Sequence, residues 1–95
     1  MMAKQRFALG RKFATPGALD AIGWAGVVLL MARHARGDWG DLCGEDKAAN
    51  EAALKTGARI FSAYKVRGKD GKTVKIWVIT EADRSATTAL LPEEY

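Results

Sequence analysis

Six residues with metal-binding or proton-transfer chemistry, His34, Asp38, Asp41, Cys43, Glu45 and Asp46, fall within a 13-residue stretch that contains the pentapeptide Gly37-Asp38-Trp39-Gly40-Asp41. Imidazole, thiolate and carboxylate groups all bind divalent cations. Their order, His-x3-Asp-x2-Asp-x-Cys, has neither the paired cysteines of a zinc knuckle nor the alternating oxygens and distal glutamate of a calcium loop. The expectation is therefore no metal and no cofactor. His34 and Asp38 would face each other as base and orienting carboxylate only if a helix continued through Gly37, and glycine favours a stop there. No serine lies close in sequence to complete a triad, although Ser62 or Ser85 would have to approach in space. Cys43 precedes a helix start, where thiols are activated, but four neighbouring carboxylates oppose ionisation. The stretch reads as a bend: Gly37 ends a helix, Asp38 turns the chain, Trp39 anchors the core, and Asp41 and Glu45 lead into the next helix. The protein is expected not to be an enzyme.

A second constellation is cationic. Lys65, Arg67, Lys69, Lys72 and Lys75 surround one predicted turn, with Tyr64 and Trp77 on the flanking segments. A basic ribbon with aromatics can hold phosphates and stack bases. Lysines at a hairpin tip also serve simply to keep sheet edges from pairing between molecules.

These groups need elements to position them. Thr15-Pro16 is a helix start, since threonine caps free amides and proline has no N–H to leave unpaired. Gly23 and Gly26 weaken that helix, so the pattern predicts helix, break, helix, with Val27 to Arg36 as the second part. Gly44 to Thr56 is a further helix, with Glu45 and Asp46 at its dipole's positive end and Gly57 just beyond. Ala58 to Val66 and Thr73 to Glu81 are β-branched and aromatic strands joined through Asp70-Gly71, a hairpin signal. Alternation places Ile60, Ser62, Tyr64 and Val66 on one face, Val74, Ile76, Val78 and Thr80 on one face, and Trp77 and Ile79 opposite. Ser85 to Leu91 supplies another strand, and Arg6 to Phe13, with Phe7, Leu9 and Phe13 at even spacing, a first one. The fold class expected is α+β: one domain over residues 1–95, with an antiparallel three- to four-stranded sheet and two or three short helices on one face.

The 95 residues, 48% hydrophobic and 27% charged, suit one soluble domain rather than a disordered chain. The longest apolar run, Ala21 to Ala32, has 12 residues, against roughly 20 for a membrane span, so no membrane partner is expected. An apolar face on Val27 to Met31 would support a dimer, and the same residues would equally serve as core. One cysteine forms no internal disulfide, in keeping with a bacterial cytoplasm. The net charge of +4 is unevenly placed: residues 37–51 carry −4, and residues 52–75 carry +6.

Ala14-Thr15-Pro16-Gly17-Ala18-Leu19, Arg33-His34-x2-Gly37-Asp38-Trp39-Gly40-Asp41, Gly57-x-Arg59-Ile60-x-Ser62-Ala63-Tyr64 and Trp77 through Ser85, with the ending Leu90-Leu91-Pro92-Glu93-Glu94-Tyr95, carry a family likeness. Over residues 13–95 the chain resembles small plasmid-related proteins of proteobacterial mobile elements, some of them labelled restriction-modification subunits. It departs from that pattern at Ala21 to Met31, which is more apolar, and at Cys43-Gly44. The resemblance implies a phage or plasmid cargo protein that acts by binding. The leading expectation is a protein-binding inhibitor of host defence, of anti-CRISPR or anti-restriction type. Its partner would be a defence protein or effector complex docked on Asp38, Asp41, Glu45 and Asp46, or competed for by the basic hairpin. The alternative is a small regulator that holds nucleic acid with the hairpin cations.

Overall fold

The computed structural model describes residues 4–95. In chain order the elements are β1 (Arg11–Ala14), α1 (Pro16–Ala35), α2 (Gly44–Thr56), β2 (Ile60–Arg67), β3 (Thr73–Thr80), β4 (Ala86–Leu90) and a closing 3-10 turn (Pro92–Glu94). They form an α+β fold around one four-stranded sheet of order β1-β4-β3-β2.

The sheet is mixed, which corrects the antiparallel expectation. β2–β3 and β3–β4 pair antiparallel, while β1 joins the edge parallel to β4, with Arg11 opposite Ala86 and Ala14 opposite Ala89. A parallel pair needs a long connection, and here nearly the whole chain supplies it. The first strand also begins later than the even spacing of Phe7, Leu9 and Phe13 suggested. Gly10 has φ +65, and a side chain on it would lie 2.4 Å from the carbonyl oxygen of Arg84. The chain bends there to pass the β3–β4 turn, so Phe7 and Leu9 enter the core ahead of the strand while Phe13 is half exposed beyond it.

Thr15 caps α1 through its side-chain oxygen, which accepts from the Ala18 amide. At Gly23 the backbone leaves the helix (φ 70, ψ 171), so α1 is two helical pieces meeting at a kink, the helix, break, helix that the glycines predict, with the second piece beginning just after Gly23. By length and composition α1 is apolar enough to cross a membrane; in this fold Val27, Leu30, Met31 and His34 pack it on the sheet. α2 has the bounds its sequence predicts and ends on Gly57 in the left-handed conformation.

Register settles the two faces. Ile60, Ser62, Tyr64, Ile76, Val78, Thr80, Thr87 and Ala89 point toward α1 and are buried. Phe61, Ala63, Lys65, Arg67, Thr73, Lys75, Trp77, Ile79, Thr88, Leu90 and Phe13 point the other way. α2 sits at the β2 end, with Ala53 against Ile60 and Trp39.

Candidate nucleic-acid interface on the open sheet face

The bend Gly37 to Asp41 closes the outer edge of β2. Asp41 N–H donates to the Ala63 carbonyl at 2.6 Å, Ala63 N–H donates to the Trp39 carbonyl, and Gly40 forms a parallel bridge with Ala63. An Asp41 carboxylate oxygen accepts from the Lys65 amide, and the Asn50 side chain both donates to and accepts from the Phe61 backbone. An edge that would otherwise offer free hydrogen bonds to another strand is thus occupied. Asp38 is equally engaged: its carboxylate accepts from Arg33 at 2.6 Å and from the Gly40 amide, while its carbonyl accepts from Tyr64. The Arg33 guanidinium holds the Asp38 carboxyl below its ordinary range.

Trp39 is buried and donates its indole N–H to Glu51, which also receives Arg6 through both oxygens. These two partners, the guanidinium first, push the Glu51 pKa down to about 2. Of the acidic segment, Glu45 and Asp46 remain as exposed carboxylates on the first turn of α2, beside the exposed Cys43. Among the described residues no three histidine, cysteine or acidic side chains are grouped so as to hold a metal.

His34 meets Ser62, the long-range approach the sequence left open, but not Asp38. It is fully buried, with Nδ1 2.6 Å from Ser62 Oγ and Nε2 2.9 Å from Thr80 Oγ1. Proton bookkeeping assigns the tautomer. Thr87 donates its one hydroxyl proton to the Leu9 carbonyl, so Thr80 must donate to Thr87. Thr80 then accepts from His34 Nε2–H, and Nδ1 accepts from Ser62. Burial, helped by the Arg84 charge, lowers the imidazole pKa to about 3. A neutral, sealed ring with both nitrogens engaged is a structural strut.

The cationic residues divide. Lys65 lies directly opposite Lys75, and Arg67 opposite Thr73, all exposed on the open face. Lys69 turns the other way: its amide donates to the Ala21 carbonyl and its side chain lies by Gly23. Lys72 is exposed at the tip, where its amide donates to the Asp70 carboxylate. Tyr64, expected to flank the site, is buried on the α1 face, where loss of hydration raises its pKa to about 12.

Next to the three cations runs an aromatic row absent from the sequence reading except for Trp77. Phe61 and Trp77 meet edge to face with centroids 5.1 Å apart, and Trp77 meets Tyr95 at 5.7 Å. Arg59 donates to the Tyr95 hydroxyl at 2.8 Å. Arg59, Phe61, Trp77, Ile79 and Tyr95 border a groove of about 380 Å³ whose other wall is Asp46, Ala49 and Asn50 of α2. Alternation along Ala58 to Val66 would have placed Phe61 on the Trp77 side. Tyr95 arrives only because the Pro92–Glu94 turn folds back, held by Glu94, whose carboxylate accepts from Thr15, Gly17 N–H and Leu91 N–H. No protein-family model, curated protein or solved structure matches the chain.

Proposed function

We propose that the protein is a non-enzymatic nucleic-acid-binding module, carried in the mobile-element setting its resemblance implies, and that single strands lie across the open sheet face. One observation carries this reading: Lys65 stands directly opposite Lys75 on that face, beside Trp77, and neither forms a salt bridge among the described residues. Like charges directly opposed across a sheet cost stability, and a polyanion reverses the sign. Arg67 extends the cationic strip, and Trp77, Phe61 and Tyr95 offer ring surface for unstacked bases, which a duplex does not present.

The test is anisotropy of labelled single- and double-stranded oligonucleotides at about 50 and 200 mM salt. Single strands should bind more tightly. Three phosphate contacts correspond to a log–log salt slope of about −2. Trp77→Ala should cost about tenfold or more in affinity, in line with roughly 1–3 kcal/mol per stacked base. Lys65→Glu alone should sharply weaken binding while raising stability, because it turns the opposed like charges into an opposite-charge pair with Lys75. Absence of binding at the lower salt, or equal affinity for duplex, would sink the proposal.

The host-defence inhibitor is a second reading, supported by the exposed carboxylates Glu45 and Asp46 at the start of α2. Reversing the Glu45 charge would weaken inhibition of a defence complex without touching oligonucleotide affinity, whereas Asp46 borders the aromatic groove and its reversal would change both. Asp38 and Asp41 are poor reporters, because their reversal would disturb the β2 edge itself.

A further inference from the structure

We propose that the groove between α2 and the open sheet face selects guanine, with Asp46 as the residue that reads the base. The inference rests on the nucleic-acid reading above and gives the same site a base preference. At about 380 Å³ the groove is within the range of small-ligand clefts. Its sheet wall carries Phe61, Trp77 and Ile79, with Tyr95 and Arg59 beside them. Aromatic rings stack on every base, so this wall supplies affinity without choice. Choice has to come from polar groups along the groove.

The α2 wall consists of Asp46, Ala49 and Asn50. Alanine has no side-chain hydrogen bond to offer, and the buried Asn50 amide is committed through both its oxygen and its nitrogen to the Phe61 backbone. Asp46 differs: it is exposed and forms no salt bridge among the described residues. A carboxylate beside a strand of phosphates is repelled unless it meets N–H donors on a base. When ionised it only accepts, through two adjacent oxygens. Guanine alone among the bases sets two N–H donors side by side, at N1 and at the N2 amino group. Adenine and cytosine place a ring acceptor next to their amino group, and thymine holds its one N–H between two carbonyls, so each turns a lone pair toward Asp46. Arg59 adds to the preference. It donates to the Tyr95 hydroxyl, and its remaining N–H groups suit guanine O6 and N7, the acceptor pair that arginine reads in base recognition.

Anisotropy of labelled thymidine strands of about eight nucleotides, plain or with one central dG, dA, dC or deoxyinosine, reads the preference at about 50 mM salt. The dG strand should bind about tenfold more tightly than the all-thymidine strand, in line with the discrimination of a bidentate pair. Deoxyinosine, which lacks the N2 amino group, should lose most of that gain. Asp46→Asn should erase the preference and leave the all-thymidine affinity unchanged or tighter, a split that loss of structure would not produce. Equal affinity of the wild type for all strands would overturn the guanine inference and leave the binding reading standing. Equal weakening of every strand in Asp46→Asn would overturn it too, by reducing Asp46 to a support of α2. Absence of binding by every strand would sink both readings together.

Discussion

His34 illustrates how a reactive side chain becomes part of the framework. Its ring joins α1 to β2 through Ser62 and to β3 through Thr80, and Thr80 continues through Thr87 to the N-terminal segment at Leu9. The folded pKa of about 3 lies below the ordinary 6.5, so the unfolded chain takes up a proton that the folded one refuses. Stability therefore holds above about pH 6.5 and falls as pH drops toward 3, at about 1.4 kcal/mol per unit. Between pH 7 and 5 the loss should be about 2 kcal/mol, read from urea midpoints. The lowered pKa values of Asp38 and Glu51 act below that window, where carboxylates in the unfolded chain begin to protonate. His34→Gln should be less stable at pH 7 yet nearly flat from pH 7 to 5; an equally steep decline in that variant would show that the slope belongs to other groups.

At the scale of elements, the pentapeptide at Gly37 to Asp41 is the hinge between layers. Gly40 reaches φ 76, and a Cβ there would lie 2.0 Å from the Ala63 carbonyl oxygen. Gly40→Ala must either strain that residue or lift the segment off β2, at a cost of about 3 kcal/mol. A shift of less than about 1 kcal/mol in urea unfolding would mean that the bridge to Ala63 contributes little. That the stretch was a bend could be read from its glycines and Asp38; that it covers a strand edge could not, because the partner, Ala63, lies more than 20 residues away. Local signals served well elsewhere: the Asp70-Gly71 turn, the Thr15 cap and the full extent of α2 follow from neighbouring residues. β1 did not, since its hydrophobic spacing runs across Gly10, and the bend there answers to the distant Arg84 and Ser85 backbone. The candidate interface was half legible. Lys65, Lys75 and Trp77 follow from strand alternation, whereas Arg59 and Tyr95 join them only through the packing of the chain's last residues.

Across the whole molecule, the two faces of the sheet have opposite duties. The α1 side carries the core and the buried hydroxyl–imidazole chain. The other side keeps three cations and an aromatic row in reach of solvent. An open face can tolerate this because Ala63, Ile79 and Leu90 are screened there by their larger neighbours.

The parallel seam between β1 and β4 also sets an order in time. β2 and β3 meet across a short turn, but Ala14 can find Ala89 only after the intervening chain exists. During synthesis at about 5–20 residues per second, β1 waits roughly 4 to 15 s for its partner strand. Its contacts should accordingly be missing from the folding transition state, so Phe13→Ala would hasten unfolding and leave the refolding rate nearly unchanged. Stopped-flow arms with the change on the refolding side would reverse that order. A nascent chain would thus spend its first seconds with Arg11 and Lys12 unpaired, their charges guarding a strand that has nothing yet to join.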